Sequence, residues 1–388
     1  MDYKNYLNET IMNVKPSGIR RFFDIVAEMD DVISLSIGEP DFKTPWHVRR
    51  AGIESLENGK TWYTPNRGFD KLRRELSNFV SRKYDLTYDP KSEILVTVGG
   101  SEALDVAIRC MVNPGDEVLM HQPSFVCYEP LTQMCGAVPV VINTKAENDF
   151  RLTAQEIEDA ITPKTKLLIL SYPNNPTGAV MRKSDLEAIA EVVIKHDLLV
   201  ISDEIYSELT YGNMRHTSIA TIDSMRERTV VINGFSKAFA MTGWRLGYAM
   251  GPKEILEVMT KLHQYCIMSS PTVAQYAAIE ALKNGDKDIE KMRNEYDMRR
   301  RLVVGGFNEM GLTCFEPGGA FYCFPCIKST GLTSEEFCTR LLNSKKVAIV
   351  PGSAFGDCGE GFVRVSYSYS LKHLKIALDR IKEFLEEL

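Results

Sequence analysis

From about residue 90 to 250, short apolar stretches alternate with longer stretches of helical period, and this pattern limits the fold more than any other feature. Ile94–Val98, Glu117–Met120, Val138–Ile142, Leu167–Leu170, Leu198–Ser202, Thr229–Ile232 and Gly247–Met250 read as strands. The stretches near 102–112, 153–160 and 184–196 read as helices. Buried strands separated by helices predict an α/β unit: a mostly parallel, seven-stranded sheet flanked by helices. The third helix opens Ser184-Asp185-Leu186-Glu187, so Ser184 is expected to cap it with Glu187 completing a capping box.

Beyond about residue 285 the pattern changes. Helix-like stretches near 286–310, 334–343 and 371–386 separate apolar runs at Ala320–Phe324, Val347–Val350 and Phe362–Ser366, which predicts a smaller α+β domain. A chain of 388 residues is too long for one simple core. The segment before about residue 45 is too short to fold alone and must dock. The expected division is a large domain over 45–285 and a small one made of 1–44 with 286–388.

Composition bears on partners and compartment. The formal charge is 46 − 52 = −6 without a basic block, which argues against nucleic acid or an anionic membrane as partner. An anionic ligand therefore needs a local positive site. Nine cysteines, an odd number, show no disulfide spacing. The single CxxC, Cys323 to Cys326, tempts a redox or zinc reading but begins inside an apolar strand pattern, where alternation points its cysteines to opposite faces. It reads as packing, and no metal is expected. With no leader-like N-terminus and no membrane-spanning run, a reduced cytoplasmic protein is expected.

The unusual residues fall at the ends of the predicted strands, where loops of such sheets converge on a crevice. Gly99-Gly100-Ser101-Glu102 opens a helix and could present backbone N–H groups to a phosphate, or simply be a Ser-capped helix start. It is no dinucleotide fingerprint, and Gly59-Lys60-Thr61 is no P-loop, since Glu54 stands where the first glycine belongs. Asn174 to Gly178 makes a turn that could also aim an amide into the crevice. Asp203 ends a buried strand, as cap or as functional acid. Lys237, among small and apolar neighbours, could be desolvated; Arg245 offers a cation suited to phosphate. Arg364 lies inside an apolar strand and needs a partner, either a ligand carboxylate or a structural aspartate.

Taken in order, these segments resemble fold-type I pyridoxal-phosphate-dependent aminotransferases, class I/II, of the aspartate aminotransferase superfamily. The matching motifs span nearly the whole chain: Ser36-Ile37-Gly38-Glu39-Pro40-Asp41-Phe42, Tyr63-Thr64-Pro65, Gly99 to Ala103, Asn175-Pro176-Thr177-Gly178, Asp203-Glu204-Ile205-Tyr206, Ser236-Lys237-Ala238-Phe239, Gly243-Trp244-Arg245, Pro317 to Tyr322 and Arg364-Val365-Ser366. The resemblance implies pyridoxal 5'-phosphate as cofactor, amino acids and 2-oxo acids as substrates, and a homodimer with shared active sites. It implies that Lys237 forms the Schiff base and later moves the substrate α-proton. Asp203 would pair with the ring nitrogen, Asn175 and Tyr206 with the ring oxygen, and Phe125 would stack on the ring. Gly100, Ser101 and Glu102, through backbone N–H groups, would hold the phosphate with Arg245, and Tyr63 would reach it from a second subunit. Arg364 would clamp the substrate carboxylate, assisted by Asn175 and the backbone of Gly38.

Two departures bear on detail. Where many relatives place a phosphate-binding serine, three residues before the lysine, this chain has Gly234, and Ser236 is the nearby hydroxyl. Where aspartate-specific members of the nearest subgroup place a lysine after the paired glycines, this chain has Ser101, which argues against a dedicated aspartate enzyme. Ser17-Gly18-Ile19-Arg20 resembles relatives that accept aromatic or hydrophobic amino acids. The same fold also hosts β-eliminating C–S lyases and non-catalytic cofactor-binding regulators. The regulators carry an added DNA-binding module for which this chain shows no basic helix.

Overall fold

The computed structural model describes residues 1–388 apart from Asp2, Lys15, Ser17, residues 19–28 and Asp30. Of the Ser17–Arg20 motif, only Gly18 is among the described residues. Strands run in chain order as β1 (Ile33–Ser34), β2 (Ile94–Thr97), β3 (Glu117–Gln122), β4 (Val138–Asn143), β5 (Thr165–Ser171) and β6 (Leu199–Asp203). They continue as β7 (Thr229–Gly234), β8 (Gly247–Met250), β9 (Tyr322–Cys323), β10 (Val347–Ala348), β11 (Val350–Pro351) and β12 (Val363–Ser366).

Seven of them form one sheet in the order β2-β8-β7-β6-β5-β3-β4. Only β8 runs against its neighbours, β2 and β7. Alternation decides which side chains serve each face. Leu168, Leu170 and Val200 pack with Leu186, Ile189 and Val193 of the helix Lys183–Lys195. Leu167, Ile169, Ile201 and Ile232 pack on the other face with Leu104, Ala107 and Ile108 of the helix Gly99–Met111. Both faces of the central strands are covered, so those strands are mostly apolar, while the edge strand β4 leaves Val138 and Val141 exposed. The carboxyl ends of β2, β3, β5, β6 and β7 lie along one edge, and the loops leaving them converge there.

The helices Trp46–Glu57, Asp70–Tyr84 and Thr272–Asn284 pack against β2 and β8, while the C-terminal part of the chain builds another core. The helices Asp286–Glu309, Ser334–Lys345 and Leu371–Glu386 pack around β9, β11 and β12. β1 pairs in parallel with β10, and Leu35 is buried in this same core, which is how the N-terminal segment docks. Among the described residues, no helix is long and apolar enough to cross a membrane.

Local expectations needed correction in three places. The helix expected to begin at Ser184 begins at Lys183; Asp185, not Glu187, closes its start, accepting the Arg182 backbone N–H at 3.0 Å. Asp185 also pairs with Arg151 at 3.1 Å, which fixes its carboxylate where it can cap. The run Val347–Val350 is two strands in two sheets, broken at Ile349. The run Ala320–Phe324 is a strand only at Tyr322–Cys323, because Ala320 has a left-handed φ of 58°. That turn ends the alternation. Cys323 is nonetheless buried and Cys326 half-buried, both as free thiols.

Candidate active site

A cavity of about 380 Å³ opens along the carboxyl edge of the sheet. β7 ends at Gly234, and the one-turn helix Phe235–Ala238 that follows brings Lys237 to its wall. The Lys237 Nζ donates to the carbonyl of Gly38 at 2.5 Å and lies 5.8 Å from the Tyr206 ring centroid. Burial lowers its pKa from 10.5 to about 8; Glu39 and Asp203 oppose the shift, while Arg364 and Arg245 add to it. A depressed amine pKa makes the neutral, nucleophilic form available at lower pH. In cofactor-free protein, acylation of Lys237 by acetic anhydride should therefore level off above about pH 8. Exposed lysines should keep accelerating toward their ordinary pKa of about 10.4. Peptide mass spectrometry measures both; a Lys237 profile that tracks the exposed lysines contradicts its desolvation.

Asp203 closes β6, and its carboxylate is buried. Tyr128 Oη donates to its Oδ2 at 2.8 Å and the Ile205 N–H to its Oδ1 at 3.2 Å. Burial pushes its pKa up to about 6, against the pull of those two hydrogen bonds. Among the described residues, no cation is within ion-pair distance of it. A desolvated carboxylate that faces a cavity and has no ion-pair partner is a strong acceptor for a cationic N–H.

Arg364 on β12 is also buried. Its Nη1 donates to Asn175 Oδ1 at 2.9 Å and its Nη2 to the Ser36 carbonyl, and its guanidinium lies 4.6 Å from the Tyr322 ring centroid. Its Nε has no partner among the described residues. Of the two readings of a strand arginine, a structural aspartate is not found among the described residues. A buried orphan donor on a cation lining a cavity calls for an anionic ligand. Asn174 makes the turn, accepting from Thr177 N–H at 3.1 Å, and leaves Asn175 to face the cavity.

A second anion-seeking feature is the start of the helix Gly99–Met111. Gly99 has φ +74°, and a side chain there would come within 2.7 Å of Arg245 Nη2, so glycine is required for that arginine to lie against the helix start. No serine caps this helix: Val98 occupies the cap, and the Glu102 carboxylate accepts its N–H.

Eleven of the thirteen residues singled out from the sequence line this one cavity: Gly38, Gly100, Ser101, Phe125, Asn175, Asp203, Tyr206, Ser236, Lys237, Arg245 and Arg364. Glu102 and Tyr63 do not. The Glu102 side chain turns away to His263 Nδ1 at 2.6 Å, and Tyr63 is 78% exposed on the surface. At Gly234 a Cβ would lie 3.1 Å from both Ile205 Cδ1 and the Leu246 carbonyl. The end of β7 has little room for a serine, while Ser236 lines the cavity, as do Ser101 and Thr242. Tyr128, Tyr322, Glu39 and Thr242 also line it and had been assigned no role. Tyr128 stands three residues after Phe125, and that spacing was the available signal.

Residues 30–381 match the family model described as aminotransferase class I and II. This chain belongs to that family. It is a pyridoxal 5'-phosphate enzyme that transfers amino groups between amino acids and 2-oxo acids. The putative aminotransferase YugH of Bacillus subtilis is 53% identical over 99% of both chains. An aspartate aminotransferase of Pyrococcus abyssi is 48% identical over 96% of this aminotransferase and 97% of its own length. The crystal structure of an aromatic aminotransferase from Pyrococcus horikoshii superposes with a TM-score of 0.91 at 46% identity, covering 95% and 99% of the two chains. The cavity fits the cofactor chemically: an amine of lowered pKa for its aldehyde, a lone carboxylate for its ring nitrogen, and a helix start with a cation for its phosphate.

Proposed function

We propose that this aminotransferase anchors its cofactor on Lys237 and uses the same amine to move the substrate α-proton. One observation carries the reading: the amine of half-buried Lys237 and the buried Asp203 carboxylate bound the same cavity. When bound, pyridoxal phosphate supplies an electron sink for the bond broken at the substrate α-carbon. Asp203 holds a proton on the ring nitrogen, Asn175 and Tyr206 hydrogen-bond the ring oxygen, and Phe125 covers the ring. The backbone N–H groups of Gly100, Ser101 and Glu102 hold the phosphate with Ser236 and Arg245. Arg364 clamps the substrate carboxylate, and Gly38 and Asn175 complete that subsite, which orients the bond to be broken.

Three cations line the cavity among the described residues, and each has a task already: Lys237, Arg245 and Arg364. None is left for a second substrate carboxylate. We therefore read the preferred amino donor as aromatic or hydrophobic, although its relatives carry both aspartate and aromatic names. The exposed Tyr63, beside the exposed Trp62, fits a homodimer in which Tyr63 completes the phosphate site of a second copy. We place the large domain at 45–285 and the small one at 1–44 with 286–388, in a cytoplasmic enzyme.

The test is a pair of incubations. An aromatic amino acid with a 2-oxo acid should yield acceptor-dependent amino transfer, faster than aspartate does. Release of pyruvate and ammonia from cystathionine without an acceptor identifies a lyase instead.

A further inference from the structure

Tyr322, on β9, has no role in the reading above, yet it touches three parts of the site. Its hydroxyl lies 2.8 Å from Tyr206 Oη. Its ring lies under the Arg364 guanidinium, 4.6 Å from centroid to Cζ. A Cβ at Gly38 would collide with its hydroxyl, so Tyr322 also abuts the backbone whose carbonyl accepts from Lys237. The side chain is buried, and Tyr206 is the one hydrogen-bond partner of its hydroxyl among the described residues.

Two hydroxyls sharing one hydrogen bond leave one proton to spare, and where it points matters. Both side chains line the cavity, but if Tyr206 donated to Tyr322 its proton could not serve the ring oxygen assigned to it. If Tyr322 donates, its own proton is satisfied and the Tyr206 proton is directed into the cavity. A donor that is itself accepting a hydrogen bond is also polarised, which strengthens its donation. The ring is held independently of this bond, by Phe321 at 4.8 Å and by Arg364.

We propose that Tyr322 is a positioning residue that donates to Tyr206 and so aims the Tyr206 hydroxyl proton at the cofactor's ring oxygen. This rests on the assignment of Lys237 and Tyr206 made above. A hydrogen bond to that oxygen favours the form lacking a proton at the lysine linkage. Weakening it raises the pH at which the visible absorbance of the lysine-bound cofactor changes. Tyr322→Phe removes the hydroxyl alone and keeps the ring beneath Arg364. The other groups facing Tyr206, namely Lys237, Asp203 and Arg364, stay in place.

The experiment is a pH titration of that absorbance in the holoenzyme, with equilibrium binding of a 2-oxo acid as control. In Tyr322→Phe the spectral transition should move up by about 0.5–1 unit, and 2-oxo acid affinity should stay within about twofold. The double variant Tyr206→Phe with Tyr322→Phe should titrate like Tyr206→Phe alone, since Tyr322 acts through Tyr206. An unmoved transition overturns the proposal. So does a shift that adds fully to that of Tyr206→Phe, or lost 2-oxo acid affinity without a spectral change. If the unsubstituted protein shows no lysine-bound absorbance at all, the assignment of Lys237 fails first, and the two failures are told apart.

Discussion

Lys237→Ala should purify without the absorbance of lysine-bound cofactor and should lose amino transfer by at least about 10⁴-fold. General base catalysis alone contributes about 10²–10⁴, and this side chain supplies a covalent anchor as well. The structure says the loss will not come from unfolding. The Lys237 stem borders a cavity that already exists, and among the described residues its amine makes a single hydrogen bond, to Gly38. Truncation therefore opens no new void in a packed core, and the change in stability should stay within about 1 kcal/mol. Thermal unfolding of the cofactor-free proteins checks that point, and absorbance with turnover checks the rest. Retained absorbance would move the anchor to another lysine and sink the assignment. Lys237→Arg sharpens the result, because it keeps the positive charge and bulk yet cannot take the amine's place. It should be as inactive as the alanine variant.

What could be read without coordinates follows a physical divide. Strands buried on both faces are continuous apolar runs, so the seven-stranded sheet was legible from Ile94 to Met250, with ends shifted by a few residues at most. Residues whose chemistry conflicts with their surroundings were legible too: Arg364 in an apolar strand, Lys237 among small neighbours, Asp203 at a strand's end. Tyr128 and Tyr322 were not. A tyrosine in an apolar stretch is unremarkable by composition, and each gains its meaning only from a hydroxyl partner distant in sequence, 75 residues for Tyr128 with Asp203 and 116 for Tyr322 with Tyr206. The capping box failed for a similar reason. Ser184 and Asp185 are both good at helix starts, and the choice fell to Arg151, which lies 34 residues earlier and orients Asp185. Pairing across the fold, not local propensity, decided each of these.

Asp203→Asn should separate stability from catalysis. The substitution keeps the size and shape of the side chain, and an amide oxygen can still accept from Tyr128, so the fold around β6 should stand. What disappears is the charge. In the cofactor-free protein that charge is a burden: burial raises its pKa from 3.8 to about 6. A carboxyl with a raised folded pKa favours the folded state below its unfolded pKa, and this contribution is lost as pH climbs through the folded value. Between about pH 4 and 6 the cofactor-free protein should lose on the order of 3 kcal/mol from this one group. The asparagine variant should escape that loss, so at pH 7 its cofactor-free form should unfold at a higher temperature, with the advantage vanishing below about pH 4. Activity should move the other way. With no anion to hold the proton on the ring nitrogen, an interaction of about 3–5 kcal/mol for a buried charge pair is forfeited, and kcat should fall on the order of 10²–10³-fold. Denaturation of the cofactor-free forms across pH and steady-state kinetics of the holoenzymes measure the two halves. A variant that is both less stable and only mildly slowed would mean that the carboxylate serves the turn at Ile205 rather than the cofactor. The buried charge is then a matter of architecture, and the chemistry must be sought elsewhere in the cavity.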